Sequence, residues 1–271
     1  MLRWCSYCQR FMGESPDYQT LCVTHGICDV CEPRVMEFPE ADFKLAATLR
    51  DIQHRLHDAG RRYDLAAAER IMKSAAALHI NPVDVLIGII APLLYQIGED
   101  WRRGVLCVAD EHRFTAFCEE VFDRIAKSLK SATPAGIVGA HDPQALLMNA
   151  PGNEHTLAIR ILTLWLQSQR VSACMIDAAP AQEQLCALIT RVRPKWLLIS
   201  MALAEQCEGV MAISRRLATL PDSIRPRLIV GGYAVKLGMV SAIPGAELMA
   251  DISLLRDLSP FESAPPPARR S

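Results

Sequence analysis

Residues 145–160 read ALLMNAPGNEHTLAIR and contain the turn on which the fold depends. The run ALLMN (145–149) is short and apolar, as in a buried strand, and the run from Leu157 onward has helical periodicity. A strand that turns into a helix in this way usually carries a glycine-rich phosphate loop. Here the turn has a single glycine, Gly152, and His155 stands near the start of the helix. The turn therefore predicts an α/β domain whose ligand-binding edge carries an imidazole.

The same alternation of short apolar runs and helical stretches continues to residue 255. Such βαβα alternation favours a doubly wound parallel sheet over residues 145–255, with ligands bound beyond the carboxyl ends of the strands. The further predicted strands are SACMI (172–176), WLLIS (196–200), RLIVGG (227–232) and a weak AELMA (246–250), and the predicted helices lie near 154–169, 181–192, 205–219 and 234–240.

Upstream of this domain, residues 40–131 have helical periodicity throughout. Four amphipathic runs with short connections predict a four-helix bundle, and Asn81 followed by Pro82 is a helix-start signal. The runs cover about 41–59, 64–79, 82–100 and 107–130. Residues 131–144 have the composition of a linker, and the Pro-rich tail 257–271 is expected to be disordered.

Residues 1–36 form a third segment that is rich in cysteine. Cys5, Cys8, Cys28 and Cys31 make two C-x2-C pairs, a spacing that favours one tetrahedral zinc site. The stretch THGICDVC resembles the closing half of small zinc-ribbon-like modules. Cys22 and His25 are alternative ligands for one position, and the competing interpretation is reduced thiols that hold no metal. A bound metal would explain how so short a segment folds.

Composition excludes several classes of function. Among 271 residues the formal net charge is −1, so no overall field attracts nucleic acid or an anionic membrane. The apolar stretch 82–98 contains Asp84 and is interpreted as a buried helix of a soluble protein. Ten cysteines without a secretory signal favour a cytoplasmic location. The sequence shows no catalytic nucleophile set, so the protein is not expected to be an enzyme.

The motifs PGNEHTLA, WLLISMAL and RLIVGG together resemble the Rossmann-like (flavodoxin-like) cobalamin-binding domain. The resemblance implies that His155 is the lower ligand of cobalt. It also implies that Ser200 meets the displaced nucleotide tail of the cofactor, and that Gly231 and Gly232 let this tail approach the backbone.

The sequence departs from the pattern of this family at two positions. Asn153 stands where an acidic residue is usual, and Ala158 stands where glycine is usual. Asn153 and Glu154 are the nearby acceptors for the second nitrogen of His155, and an amide gives the metal less electron density than a carboxylate. The alanine is expected to narrow the space for the nucleotide tail.

The upstream helices resemble the cap of the CarH/LitR photoreceptor family. Trp101, nine further residues and then Glu111–His112 match the W-x9-EH pattern of that family. The resemblance implies that Trp101 packs over the upper ligand of cobalamin and that Glu111 and His112 make polar contacts with it. These photoreceptors carry a histidine where this chain has Arg102, so a second histidine ligand would have to come from elsewhere, with His112 one candidate, or water would fill the site.

These resemblances imply a regulator that binds adenosylcobalamin and senses light by photolysis of the cobalt–carbon bond. No winged helix or basic recognition helix is recognisable, so the chain is expected to signal through a partner transcription regulator, as AerR-type antirepressors do, and not to bind DNA directly. Three alternatives stay open: a corrinoid methyl carrier of a methyltransferase system, a degenerate domain that has lost cobalamin, and a heme-binding variant. The oligomeric state also stays open.

Overall fold

The computed structural model describes residues 1–16, 18, 21–33, 44–132, 143–176, 179–252 and 255. The predicted tail and most of the predicted linker lie outside these residues. The chain divides into two compact units, the first spanning Met1–Lys127 and the second Ser128–Asp251. The cysteine-rich segment and the helices, which the sequence presents as separate regions, therefore belong to one unit.

The first unit begins with a small three-stranded sheet. Strands β1 (Leu2–Cys5) and β2 (Phe11–Glu14) form an antiparallel hairpin, and β3 (Val23–Gly26) pairs with β1 in parallel. The strand order is β2-β1-β3. Residues 1–33, which contain this sheet, are called the metal module below.

Helices follow in each of the four predicted runs. They are α1 (Lys44–Arg62), α2 (Leu65–Ala77), α3 (Pro82–Val85), a π-helical turn (Leu86–Ile90), α4 (Ala91–Arg102) and α5 (Val108–Ala132). The predicted start signal is confirmed, since the side-chain oxygen of Asn81 accepts a hydrogen bond from the Val83 N–H at 2.9 Å and Pro82 opens the helix. Gly60 of α1 packs so closely on Phe114 of α5 that a Cβ would lie 2.4 Å from the ring.

The helix Pro82–Arg102 is continuous through the π-helical turn. By length and composition alone it could cross a membrane, yet 67% of its most apolar window is buried inside the protein. Such burial is typical of a core helix of a soluble protein.

The second unit is an α/β domain with the predicted alternation. Its five strands are all parallel and stand in the order β5-β4-β6-β7-β8. With β4 counted as the first strand, this is the 2-1-3-4-5 order of flavodoxin-like folds, so the predicted fold class is confirmed for this domain. The strands are β4 (Ala145–Asn149), β5 (Ala173–Met175), β6 (Trp196–Ser200), β7 (Arg227–Gly231) and β8 (Ala246–Leu248).

Helices cover the connections between these strands. They are α6 (Leu157–Ser168), α7 (Gln182–Val192), α8 (Cys207–Leu217), preceded by a short 3-10 turn, and α9 (Tyr233–Lys236). Helix α9 is shorter than the predicted run 234–240 because Gly238, with φ +68°, ends it in the left-handed region.

Candidate functional site

Three strand ends of the second unit lie side by side. The register pairs Asn149 of β4 with Ser200 of β6, and Ser200 with Gly231 of β7. Strand order reverses between β4 and its neighbours, and such a switch point is where open α/β sheets bind ligands. The predicted residues Ser200 and Gly231 therefore share one edge with Asn149, and these three positions are called the strand-end row.

His155 lies in the loop of residues 150–156 that leaves β4 at this edge; we call it the His155 loop. The loop turns at Gly152, whose φ of +81° favours glycine. Both His155 and Glu154 are exposed. The imidazole is thus presented at the ligand-binding edge instead of being used in the core.

Two asparagines hold the backbone of His155. The side-chain oxygen of Asn153 accepts a hydrogen bond from the His155 N–H at 3.1 Å, and the side-chain nitrogen of Asn149 donates to the His155 carbonyl at 3.2 Å. Asn153 also donates to the carbonyl of Ser200 at 3.2 Å, which ties the loop to β6. The predicted residues Asn153, His155 and Ser200 are therefore brought together.

The side chain of Asn153 makes backbone contacts that the sequence did not predict. The sequence suggested that its amide oxygen accepts from the imidazole, whereas this oxygen accepts from the backbone N–H of the same histidine. One lone pair stays available for an imidazole N–H. Asn153 is foremost a positioning residue for the loop.

Sequence reasoning missed Asn149. This residue is 8% exposed, and its side-chain oxygen is buried with no hydrogen-bond partner among the described residues. A buried orphan acceptor costs about 1–3 kcal/mol, so such groups call for a specific explanation. The available signal was a polar residue at the end of a strand whose other members are all apolar.

Gly231 and Gly232 pack closely against the protein itself. A Cβ on Gly231 would lie 3.0 Å from the Met249 carbonyl oxygen, and one on Gly232 would lie 2.5 Å from the Met201 carbonyl oxygen. Gly232 also has φ +101°. Glycine is therefore required at 232 by the chain's own backbone, whatever ligand approaches from outside.

The residues of the W-x9-EH pattern lie in the first unit, at the end of α4 and the start of α5. Trp101 is 47% exposed. Glu111 is nearly buried and accepts hydrogen bonds from the hydroxyl of Thr115 at 2.8 Å and from His112 Nδ1 at 2.5 Å, while the His112 side chain is 71% exposed. Glu111 therefore orients an exposed imidazole.

Arg102 is held in place by a carboxylate one turn earlier. Glu99 is buried, and its two oxygens accept from Arg102 Nε and a terminal nitrogen at 2.8 and 2.7 Å and from Arg103 Nε at 2.8 Å. This bidentate pairing fixes the guanidinium of Arg102, the residue that follows Trp101 in the sequence. Arg102 is permanently cationic and therefore unsuited to binding cobalt.

The four predicted metal ligands converge in the first unit. The sulfur atoms of Cys5, Cys8, Cys28 and Cys31 all lie within 4.8 Å of one another, and those of Cys8 and Cys28 are 3.6 Å apart. Tetrahedral zinc at a Zn–S distance of about 2.3 Å sets sulfur atoms about 3.8 Å apart, so the cluster has the dimensions of a zinc site. The alternatives Cys22 and His25 are not part of the cluster.

The thiols of this cluster compete for protons. Hydrogen bonds with Cys28 and Cys8 lower the pKa of Cys5, whereas hydrogen bonds with Cys28 and Cys5 raise that of Cys8, and burial raises the pKa of Cys31 to about 12. Metal binding requires deprotonated sulfur ligands, so a cation bound in this cluster would release protons from it.

Comparison with known proteins adds to this geometry. Residues 52–126, which lie within the helices, match the family described as the B12 binding domain. The HTH-type transcriptional repressor CarH of Myxococcus xanthus is 25% identical over 175 residues, which are 64% of this chain and 55% of CarH. The chain thus spans about half the length of that relative.

A solved structure has a similar fold. The monomethylamine corrinoid protein of Methanosarcina barkeri gives a TM-score of 0.61 at 16% identity, covering 76% of this chain and 95% of that chain. The B12 binding domain match on the helices and the similarity to CarH together support a likeness to cobalamin-binding, CarH-like proteins.

Proposed function

We propose that this protein is a light-sensing regulator that binds adenosylcobalamin, with His155 as the lower ligand of cobalt. The observation that carries the proposal is the exposed imidazole of His155 beside the strand-end row, at the switch point of a flavodoxin-like sheet. The donor set fits cobalamin, because it offers a single imidazole among small or polar strand ends, with the buried Asn149 oxygen still lacking a partner among the described residues.

The residues around His155 have distinct roles in this proposal. Asn149 and Asn153 fix the backbone of His155, so the loop would lose little backbone freedom when the imidazole binds a metal. Ser200, Gly231 and Gly232 line the edge along which the nucleotide tail would lie. When bound, adenosylcobalamin supplies a cobalt–carbon bond that light can break.

The helices would serve as the cap over the upper face. Trp101 presents an exposed ring, and Glu111 holds His112 ready for a polar contact. Trp101 and His112 would contact the upper ligand, and loss of those contacts would make the helices the two-state element that reports the event. We propose that the output passes in the cytoplasm to a partner transcription regulator and that the chain is not itself an enzyme.

The test is an absorption spectrum. The protein is mixed with adenosylcobalamin in the dark, desalted and recorded before and after green illumination, beside His155→Ala and the matched variant His54→Ala. His54 is an exposed histidine of α1. We expect retained corrinoid and a light-driven shift in the wild type and in His54→Ala, with altered spectra only in His155→Ala. Failure to retain any corrinoid would refute the proposal.

A corrinoid methyl carrier is the second candidate, since the chain shares its fold with the monomethylamine corrinoid protein. A carrier would retain corrinoid and respond to light no more than the free cofactor does. It would also accept and donate a methyl group with a methyltransferase partner, whereas a photoreceptor would not.

We further propose that the cysteine cluster binds one zinc ion per chain. The convergence of its four sulfur atoms supports this. Metal analysis of gently purified protein should give one zinc per chain, and protein that is folded and free of metal would refute it.

A further inference from the structure

The hairpin of the metal module packs against the π-helical turn of the first unit. Trp4 and Phe11 are fully buried, and their ring centroids are 5.4 Å apart. A Cβ on Gly88, in the middle of the turn, would lie 2.6 Å from Trp4 Cζ2 and 2.7 Å from Phe11 Cδ2. Two aromatic rings therefore occupy the space that any side chain at position 88 would need.

Pro92 explains why the regular α-helical hydrogen bonding is interrupted here. Pro92 has no N–H to donate to the carbonyl four residues earlier, which belongs to Gly88, and its ring would clash with that carbonyl in a regular helix. The chain instead makes an i→i−5 bond from the Ala91 N–H to the Leu86 carbonyl. Gly88 also leaves the outer face of the turn open to the two rings.

A π-helical turn changes the direction of every side chain beyond it. One extra residue in a helix of 3.6 residues per turn rotates the following segment by about 100° relative to an uninterrupted α-helix. The following segment is α4, which carries Glu99 and Trp101. The turn therefore decides on which side of the helix these two residues lie.

Two of the proposed zinc ligands, Cys5 and Cys8, lie in or next to the hairpin turn between the rings of Trp4 and Phe11. Cys5 directly follows Trp4, and Cys8 precedes Phe11 by three residues. A zinc ion bound to both cysteines would fix the turn between the rings, so metal binding and ring placement are mechanically linked.

We infer that the metal module is a buttress: with zinc bound, it holds Trp4 and Phe11 against Gly88, stabilises the π-helical turn and so sets the side on which Trp101 is presented. This rests on the proposed zinc site and not on the proposed light response. The module then serves a positioning function within its own unit.

The test is hydrogen exchange by mass spectrometry on the full chain without cobalamin. We compare zinc-loaded protein, protein stripped by a chelator, and the variants Gly88→Ala and Gly98→Ala. Gly98 lies in the same helix, and a Cβ added there would meet no atom of the described residues within 4 Å, so it is the matched control. Stripping and Gly88→Ala should each raise exchange over residues 86–102 at least about tenfold, whereas Gly98→Ala should not.

The arms separate the two proposals. Gly88→Ala should keep its zinc, and iodide quenching of Trp101, assigned by comparison with Trp101→Phe, should change as it does on stripping. If zinc leaves but exchange and quenching over α4 stay constant, the buttress is refuted while the zinc site stands. If the chain never holds zinc, the zinc site and the metal dependence of the buttress both fail, and unchanged exchange in Gly88→Ala would remove the role of the rings as well.

Discussion

The metal module and the His155 loop place their candidate metal ligands in opposite ways. In the module, four sulfur atoms lie within 4.8 Å of one another, with three of the four cysteines buried. In the loop, one imidazole is exposed, and among the described residues the hydrogen bonds to His155 reach its backbone. Closed sites of the first kind are typical of structural metals, whereas an open site leaves room for a ligand to enter and leave.

The two regions also differ in what holds them in place. The module relies on the cluster and on Trp4 and Phe11, which bury large apolar surfaces. The loop relies on three hydrogen bonds made by Asn149 and Asn153. Loss of one group should therefore cost the module much more stability than it costs the loop.

Removing one metal ligand should have the largest effect. Cys28→Ser takes away a buried sulfur atom of the proposed zinc site. Because metal-binding free energy on the order of 10 kcal/mol is folding free energy for such a module, the module should unfold. Metal analysis should show zinc falling from one per chain to near none, and near-ultraviolet circular dichroism should lose the Trp4 signal. The control is Cys22→Ser, at an exposed cysteine outside the cluster. Equal zinc content in the two variants would contradict the interpretation of the four-cysteine cluster as a closed metal site.

Two tryptophans of the same unit differ in burial. Trp4 is fully buried and Trp101 is 47% exposed. Trp4→Ala should lower the free energy of unfolding by about 3–5 kcal/mol, and Trp101→Ala by less than about 1 kcal/mol. Denaturant unfolding of both variants measures this. Similar losses would mean that the exposed ring is structural, which would weaken its proposed role over the cofactor.

Much of the architecture could be predicted because it depends on local patterns. The strand ALLMN, the Asn81–Pro82 start and even the weak strand β8 follow from periodicity and capping over a few residues. The paired cysteines were predictable because their spacing is itself the signature of the site.

The remaining features depend on contacts between distant residues. The bond from Asn153 to the Ser200 carbonyl spans 47 positions, and the packing of Trp4 on Gly88 links segments that have no common pattern. Pro92 was a visible signal of an irregular helix, yet a proline also allows a kink, so the sequence alone could not specify a π-helical turn. The buried side-chain oxygen of Asn149, unpaired among the described residues, could not be predicted either, since burial of a polar atom follows from the whole fold.

Two glycines test the rigidity of the open site. Gly232 has φ +101°, and its added Cβ would meet the Met201 carbonyl oxygen at 2.5 Å. Gly238 has φ +68°, and its added Cβ would meet no atom within 4 Å in the part of the chain that the structure describes. Gly238→Ala should cost about 1 kcal/mol from the left-handed backbone alone. Gly232→Ala should cost about 3 kcal/mol, since a steric clash adds to a more restricted φ. Comparing the thermal unfolding of the two variants isolates the contribution of the clash. Equal melting temperatures would show that the backbone around Gly232 shifts to accommodate the added Cβ at little cost.

The smallest effect is expected at Asn153. Asn153→Ala removes the acceptor for the His155 N–H and the donor to the Ser200 carbonyl, at about 1 kcal/mol for each bond. Asn153→Asp keeps the acceptor but turns a carboxylate toward the Ser200 carbonyl, so it should lose the second bond and add repulsion. Denaturant unfolding should therefore show a loss of about 2 kcal/mol for Asn153→Ala and no gain for Asn153→Asp.

The matched control for this pair is Glu154→Ala, because Glu154 is exposed and directly adjacent. Hydrogen exchange over residues 150–157 should rise in both Asn153 variants and stay constant in the control. If Asn153→Asp were instead as stable as the wild type, the amide would not be tying the loop to β6. The presence of asparagine at position 153, where an acidic residue is usual, would then affect the imidazole of His155 and not the backbone of the loop. An increase in exchange confined to the Asn153 variants would mean that the open site owes its order to two side-chain amides, while its imidazole stays free to bind.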